Sequence, residues 1–449
     1  MQGFSQFSRP LCFVGGRYPQ YQERRTVSSR QNIEQSKTPP AGLSVKANML
    51  WNSAGSITVL ACQWLLTIVV VRLSGDYEAA GVLSLALAVY NIFAPISVYR
   101  MYVYQVSDVK RENTTGEYLT FRLVTTAIAL TALIAYAAIT CTPSALPAII
   151  LFALYRLSAR IIEVLHGADQ LNGRMDYIGK SMIAQGVLCF AEFCIVFALT
   201  QNLELAIGGM VVVTCLIGLL YDYPRARQFG PIRFGISRKK THFLLLSCLP
   251  IVVAAVACNA APSVPRQVLA FLASDSALGI YTSVAAPVTI VQMGASYLYN
   301  PLLSIISANY AAGRKRKLLT TLAKISGGIA LIGVVCALGF QLCGAWVLSL
   351  LFGPSIEPYT YLLMPAIAST IVCAYFWFLD NMLVALRSFR GSFVSNIGAL
   401  VASLALSYPF ISLWNMNGVS FTCIAAFAIG VLLGVIYLGK LIKEMEGNG

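Results

Sequence analysis

The sequence predicts an all-α polytopic membrane protein with about twelve transmembrane helices in two six-helix lobes. Of its 449 residues, 57% are hydrophobic and only 11% are charged, whereas a soluble globular domain has roughly 45–50% apolar and about 25% charged residues. Apolar stretches also recur between residues 47 and 438, separated by short polar breaks. These observations exclude an ordinary cytosolic enzyme, a secreted disulfide scaffold and a disordered protein.

The individual helices follow from the lengths of the apolar stretches, because about 20 helical residues cross the hydrocarbon core of a bilayer. One stretch, 343–352, is too short to span alone and is joined to 318–341. The predicted helices are then 47–72, 79–104, 118–140, 145–165, 179–200, 203–222, 243–264, 278–309, 318–341 with 343–352, 359–385, 393–414 and 417–438.

Basic residues cluster in alternate loops. The net charge is +14, from 32 Lys and Arg against 18 Asp and Glu. If the N-terminus is cytoplasmic, only Arg72 and Arg266 fall at outer helix ends. The predicted inner loops are 105–117, 166–178, 223–242, 310–317 and 386–392. This asymmetry indicates that both termini are cytoplasmic, and it gives no reason to expect a nucleic-acid partner.

The long basic loop 223–242 divides the chain. The predicted parts are a polar, basic and disordered N-terminal tail (1–46), an N-terminal six-helix lobe (47–222), a cytoplasmic linker (223–242), a C-terminal six-helix lobe (243–438) and a cytoplasmic tail (439–449). The outer loops are short, so no soluble domain is available for enzyme chemistry, and we expect neither enzyme activity nor catalytic residues.

Residues that bind metals or nucleotides are sparse. The twelve Cys form no CxxC pair and lie mostly inside apolar runs, where Cys behaves as a small buried hydrophobe. Only two His are present, His166 and His242, so we expect no metal site. There is no GxxxxGK[ST] loop to support nucleotide hydrolysis.

The two halves carry a short internal echo. It pairs VRLSGDYEAAGVLSLALA (71–88) with VLAFLASDSALGIYTSVAA (268–286). Each segment runs from an apolar helix through a short acidic break into an Ala-x-Gly step, which ends at Gly81 in the first half and Gly279 in the second. Six helices in each half imply parallel repeats related by an axis along the membrane normal, an arrangement found in many transporters.

Four segments carry a resemblance to a known family. They are YRMYVYQVSDV (99–109), HGADQLNGRMDYIGKS (166–181), VPRQVLAFLASDSALGIYTSVAAP (264–287) and LLFGPSIEPYTYLLMP (350–365). The chain resembles bacterial polysaccharide flippases of the O-antigen type, within the multidrug/oligosaccharidyl-lipid/polysaccharide exporter superfamily. The resemblance implies a V-shaped, two-lobe transporter that moves undecaprenyl-diphosphate-linked glycan units across the inner membrane for lipopolysaccharide or other surface polysaccharide biosynthesis. The extension 1–46 has no counterpart in that pattern.

Several arginines are candidates for binding an anionic head group, because the rigid guanidinium fork suits phosphate. The candidates are Arg266, Arg72, Arg156, Arg160 and Arg100. Arg156 and Arg160 lie one helical turn apart with Glu163 on the same face, and Arg122 also lies within reach of the inner side. For Arg156, Arg160, Arg100 and Arg122, the alternative is that the side chain snorkels to the lipid head groups.

Two acidic residues are candidates for coupling to an ion, because charges inside a membrane are costly. Glu192 shares one helical face with Ser181 and Gln185 and could bind a coupling proton; alternatively it forms an inter-helix hydrogen bond as a protonated acid. Asp380 could pair with a cation across the cavity, or it could cap an interfacial position near Arg387.

Two polar stripes are candidates for lining a cavity. The first helix carries Asn52, Ser56 and Gln63, and the eighth carries Gln292, Ser296 and Asn300. Such stripes either line a wet cavity or hydrogen-bond a neighbouring helix. Prolines at 95, 250, 287, 301 and 365 would let the helices bend between two states.

These features predict a lipid-linked oligosaccharide flippase of the bacterial inner membrane that works by alternating access. We expect a monomer, with coupling to H⁺ or Na⁺ and no other cofactor. The expected partners are a prenyl-diphosphate-linked glycan, membrane lipid and the polysaccharide assembly machinery. The alternatives are a cation-coupled multidrug exporter of the same superfamily, or a membrane glycan polymerase.

Overall fold

A computed structural model describes residues 42–108, 111 and 113–447, with side chains up to residue 443. The described residues form α-helices and short turns and contain no strand. The helices are α1 (Val45–Ser74), α2 (Glu78–Val98), α3 (Met101–Val106), α4 (Thr115–Thr140), α5 (Leu146–Leu171), α6 (Met175–Thr200), α7 (Leu203–Ile217), α8 (Tyr223–Ala226), α9 (Arg238–Leu272), α10 (Asp275–Ala285), α11 (Thr289–Tyr299), α12 (Leu303–Ala311), α13 (Lys315–Phe352), α14 (Leu363–Ala385), α15 (Phe389–Trp414) and α16 (Met416–Gly447).

Most of the predicted spans are present among the described residues. Ten stretches are long and apolar enough to cross a membrane, and an eleventh consists of α10 with the segment Thr289–Ala311, bent by 47°. The helix α5 corresponds to the predicted span 145–165 and has 26 residues, but it is less apolar because it carries Arg156, Arg160 and Glu163 along its length. The predicted all-helical membrane fold is confirmed, and α13 runs without a break through the short stretch 343–352.

The structure describes the two predicted tails of the chain only in part. For the tail 1–46, the part up to residue 41 lies outside the described residues, and α1 begins at Val45 behind an N-cap from Ser44. The proposed cytoplasmic tail 439–449 is helical up to Gly447 as a continuation of α16. The last two residues lie outside the described residues.

Proline breaks only some of the helices. The predicted helix 278–309 is wrong as a single element, because it is interrupted between α10 and α11 at Pro287 and by a 3₁₀ turn, Asn300–Leu302, at Pro301. Pro250 lies within the continuous helix α9, and Pro365 lies in the first turn of α14.

The break after α2 has an unusual backbone. Four residues beyond Pro95, Tyr99 and Arg100 both adopt left-handed conformations, with φ of 46° and 59°. For residues with a β-carbon this region costs roughly 1–2 kcal/mol each. The strain is retained where α2 turns into α3, at the predicted cytoplasmic end of the N-terminal lobe.

The N-terminal lobe comprises α1 to α7, and the C-terminal lobe comprises α9 to α16. The lobes meet where α2 packs against α9 and α10. A β-carbon at Gly81 would overlap the carbonyl oxygen of Asp275, and one at Gly279 would overlap the carbonyl oxygen of Tyr77. The two Ala-x-Gly steps of the internal echo therefore face each other across the lobe interface, where only glycine permits this approach.

Polar contacts hold the predicted outer ends of the lobes together. Arg72 Nε, at the end of α1, donates to the carbonyl oxygen of Leu351 in the last turn of α13 at 2.8 Å. Tyr77 Oη lies 3.0 Å from Ser355 Oγ. A cation at the C-terminal end of a helix is favourable, because the helix dipole places partial negative charge there. The predicted outer end of the molecule is thus closed in this conformation.

Candidate functional site

A cavity of ≈ 450 Å³ lies inside the N-terminal lobe. Residues of α1, α3, α5, α6 and α7 line it. It extends from Asn52, Tyr102 and His166, near the predicted cytoplasmic ends of their helices, to Leu66 and Met210 deeper in the lobe. Its wall combines apolar side chains with a few polar ones, as is typical of ligand pockets.

Arginines gather around a single carboxylate in this cavity. Arg160 Nη1 lies 3.3 Å from Glu163 Oε1, and Arg122 Nη2 lies 3.5 Å from Glu163 Oε2. Arg160 Nε also donates to Tyr90 Oη at 3.3 Å. The carboxylate of Glu163 therefore holds two guanidinium groups from α4 and α5 in place.

The cations of this cluster outnumber the acid. Arg156 is the third cation, and its guanidinium lies over the ring of Tyr90, 5.5 Å from the centroid. Arg122 is completely buried and donates through Nη1 to the carbonyl oxygen of Ser97 at 3.0 Å. Arg156 and Arg160 line the cavity itself. The cavity wall therefore carries net positive charge and offers donor groups to an anion.

The first polar stripe lies where the sequence predicts a cavity lining, and the second does not. Asn52, Ser56 and Gln63 all line the cavity. In α11, Gln292 Nε2 donates to Cys373 Sγ at 3.5 Å, and Ser296 Oγ donates to the carbonyl oxygen of Gln292 at 2.9 Å. Asn300 is exposed in the 3₁₀ turn that follows. The second stripe therefore lies away from this cavity.

The remaining candidate arginines are dispersed. Arg100 is exposed at the break between α2 and α3 and does not line the cavity. Arg72 lies at the outer closure, with its donors directed at the end of α13. The structure therefore does not bring these two residues to Arg156 and Arg160.

Arg266 lies inside the C-terminal lobe. It is half-buried, and no hydrogen bond or ion pair links it to another described residue. Its charge acts on Tyr281 of α10, Cys373 of α14 and Cys423 of α16. It is thus a solitary cation among largely apolar neighbours.

The two candidate coupling acids have opposite surroundings. Both carboxylate oxygens of Glu192 are buried without a hydrogen-bond partner, and the group lies against Gly209 of α7. The alternative inter-helix hydrogen bond is therefore not formed. Asp380 Oδ1 instead accepts hydrogen bonds from Ser392 Oγ at 2.5 Å and Asn396 Nδ2 at 2.8 Å, both in α15.

Some residues of the site were not predicted from the sequence. Tyr90 contacts both cavity arginines, and Tyr102 and Tyr155 line the wall. Their positions inside apolar helices could have indicated these tyrosines. The sequence pattern does not show which helix each hydroxyl group faces. His166 was also missed, since the sequence placed it in a loop, whereas it lines the cavity from within α5.

The chain is similar in sequence to a known protein. No model of a known protein family matches the chain. In sequence, it is similar to the capsular polysaccharide biosynthesis protein CapF of Staphylococcus aureus, with 23% identity over 383 residues that cover 84% of this chain and 94% of that protein.

Solved structures show the same architecture. The lipid II flippase MurJ, in an inward closed conformation, matches with a TM-score of 0.67 and 11% identity over 89% of this chain and 90% of that one. An inward-facing multidrug resistance MATE family transporter of the MOP superfamily matches with a TM-score of 0.56 and 16% identity over 90% of this chain and 96% of that one. Both matches extend across the two lobes. The resemblance seen in the sequence is therefore confirmed at the level of the fold, which the chain shares with MurJ and with the MATE family transporter.

Proposed function

We propose that the protein is a flippase that translocates prenyl-diphosphate-linked oligosaccharides across the bacterial inner membrane for surface polysaccharide biosynthesis. The observation that carries this proposal is the arginine-rich cavity of the N-terminal lobe, in which Arg156 and Arg160 face the space where a ligand would bind. A diphosphate is a compact dianion with several acceptor oxygens. It matches a wall that carries surplus guanidinium groups.

The depth of the arginines supports transport rather than surface binding. Arg156 is ten residues from the start of α5 at Leu146, which corresponds to about 15 Å along a helix of 26 residues. This places it near the middle of the span, where transporters of repeated architecture bind their substrates. The prenyl chain would remain in lipid while the head group occupies the cavity.

The closed outer end supports alternating access. The lobes are joined at Arg72, Tyr77 and the glycine contacts of α2 and α10, while the cavity lies toward the predicted cytoplasmic side. In the proposed cycle, the head group enters from the cytoplasm and the outer contacts then separate. Coupling to H⁺ or Na⁺ would drive flipping against a gradient, with Glu192 and Asp380 as the acids proposed from the sequence.

The charge of the cavity favours an anionic substrate over an organic cation. A cation exporter needs carboxylates that are not already neutralised by the protein. Here Glu163, the acid in the cavity wall, is held by Arg122 and Arg160. A multidrug exporter is therefore the second candidate. A glycan polymerase has less support, because the predicted outer loops are short and hold no soluble domain for the chemistry.

The test is mass spectrometry of lipid extracts from a strain that lacks the gene, with and without a plasmid copy. We expect prenyl-diphosphate oligosaccharide to accumulate in the deletion strain and to return to the wild-type level with the plasmid. Efflux of an organic cation, ethidium, is measured in the same strains. An unchanged lipid pool together with reduced ethidium efflux would overturn the flippase and favour the exporter.

A further inference from the structure

A second polar cluster adjoins the cavity at the predicted cytoplasmic end of the lobe. His166 Nε2 lies 3.1 Å from Asp222 Oδ1, and Ser181 Oγ donates to Asp222 Oδ2 at 2.8 Å. Gln185 Nε2 donates in turn to Ser181 Oγ at 3.0 Å. His166 and Gln185 line the cavity, so the chain of hydrogen bonds leads from the cavity to the buried Asp222.

The position of Asp222 depends on an unusual backbone. It closes a π-helical turn, Gly218–Asp222, inserted between α7 and α8. Single π turns inside α-helices are rare and occur frequently at functional sites. The turn leaves Asp222 completely buried, with its carboxylate between His166 of α5 and Ser181 of α6.

Asp169 is the member of this cluster without a partner. It lies three residues after His166 on α5 and is 0% exposed. Neither of its carboxylate oxygens has a hydrogen-bond partner. The charges of Asp222 and Asp176 act on it repulsively, and those of Arg174 and Arg225 act attractively. A completely buried carboxyl group without a hydrogen-bond partner therefore lies one helical turn from His166.

Ionising both Asp169 and Asp222 inside the lobe costs free energy. An ionised carboxylate that is buried without a donor is strongly destabilised, and a second carboxylate nearby adds repulsion. One bound proton removes both costs. Asp222 accepts a hydrogen bond from Ser181 and lies 3.1 Å from His166, whereas Asp169 has no hydrogen-bond partner. Asp169 is then the group that takes up and releases the proton.

We propose that Asp169, together with Asp222 and His166, forms a proton-binding site that couples proton movement to transport through the cavity. Uptake of one proton converts the carboxylate of Asp169 into the neutral acid, and release restores the charge. The inference rests on the proposed transport function. It assigns coupling to a cluster that reaches the cavity wall at His166 and Gln185.

Other titratable and charged groups face the cluster and set its charge. Tyr102 of α3 hydrogen-bonds to Gln170 and is influenced by the charge of Asp169. Arg174 pairs with Asp176 at 2.8 Å, and Lys180 lies 3.7 Å from Asp176. The charged and titratable side chains of this cluster are Asp176, Arg174, Lys180, Asp222, His166 and Arg225. Arg174 and Lys180 are therefore already engaged by Asp176.

The first measurement is infrared difference spectroscopy of the purified full-length protein during a pH titration. We expect a C=O stretch of a protonated carboxylic acid that disappears as the pH rises and is lost in Asp169→Asn. Asp76→Asn is the control, because the Asp76 carboxyl group is exposed in the turn between α1 and α2. A band that persists in Asp169→Asn, or that is lost in Glu192→Gln instead, would overturn the proposal. Thermal unfolding of each variant identifies any that fail to fold, and for such a variant Asp169→Ser replaces Asn.

The second measurement uses proteoliposomes that contain an undecaprenyl-diphosphate oligosaccharide, with and without an imposed pH gradient. We expect the gradient to accelerate flipping by the wild type and this acceleration to be lost in Asp169→Asn. Acceleration of Asp169→Asn equal to that of the wild type would refute the coupling site and leave the flippase intact. Failure of the wild type to flip the lipid would instead refute the proposed function, while the infrared result on proton binding would stand.

Discussion

The two lobes have the same predicted number of spans and share a short sequence repeat, but their interiors contain different charged residues. The interior of the N-terminal lobe holds Arg122, Arg156, Arg160 and Glu163 around its cavity, with the His166 cluster beside them. The interior of the C-terminal lobe has mainly Asp380, which is bonded to α15, and the solitary Arg266.

This difference shows that two lobes of similar architecture do not need matching charged residues. The glycine steps at Gly81 and Gly279 serve the same purpose in both lobes, since each lets the backbones of α2 and α10 approach. The charged residues have no such counterpart, because among the described residues only those of the N-terminal lobe include arginines that converge on a common space. The expected division is that the N-terminal lobe holds the anionic head group and the C-terminal lobe moves against it.

The largest effect is expected from removing the two cavity cations. Arg156→Ala combined with Arg160→Ala should reduce flipping at limiting substrate by more than about 100-fold, because two charge-assisted hydrogen bonds of roughly 1.5–3 kcal/mol each sum to about 3 kcal/mol or more. The rate is measured in proteoliposomes or as clearance of the accumulated lipid in the deletion strain.

Its control removes two cations outside the cavity. Arg314 and Arg316 are exposed at the start of α13, and Arg314→Ala with Arg316→Ala should leave the rate within about twofold of the wild type. Equal losses in both double variants would indicate that overall charge, and not the cavity, controls transport. The lobe comparison would then fail.

A smaller effect, on stability, is expected at the completely buried Arg122. Arg122→Met should lower the free energy of unfolding by about 2 kcal/mol, because Glu163 loses one of its two guanidinium partners inside the lobe. The control is Lys240→Met, which breaks a partly exposed 2.9 Å ion pair with Glu117 and should cost less than about 1 kcal/mol. Denaturant or thermal unfolding of the purified protein measures both. Equal values would show that burial of Arg122 contributes nothing to the lobe.

The sequence predicted the spans and one wall of the cavity, because both depend on local periodicity. The stripe of Asn52, Ser56 and Gln63 faces the cavity as the helical period requires. The proton-site cluster could not be found in this way. The apolar pattern of α5 fades before His166, so the sequence placed His166 and Asp169 in a loop at 166–178, whereas the helix continues to Leu171.

The positions of single arginines depended on contacts that periodicity does not encode. Arg72 was predicted to bind the head group, but its geometry is set by the end of α13, some 280 residues away in the chain, with Arg72 Nε 2.8 Å from the carbonyl oxygen of Leu351. Local pattern identifies which residues share a face, while the partner of that face depends on how the two lobes pack. A cation at a predicted outer helix end is therefore compatible with either role.

The smallest effect on flipping is expected at Arg266. The Arg266 variants test directly whether the C-terminal lobe also contacts the head group. Arg266→Ala should reduce flipping at limiting substrate by about tenfold, equivalent to one charge-assisted contact formed as the lobes move, whereas Arg266→Lys should retain most of the rate. Arg390→Ala, at an exposed cation of α15, is the control and should have no effect. If Arg266→Ala reduces flipping as much as the Arg156 and Arg160 double variant does, both lobes bind the head group. A residue that contacts the substrate in one state of the cycle only should reduce the rate less than two residues that contact it throughout. A loss confined to stability, with the rate unchanged, would instead leave Arg266 as a structural cation and assign head-group binding to the N-terminal lobe alone.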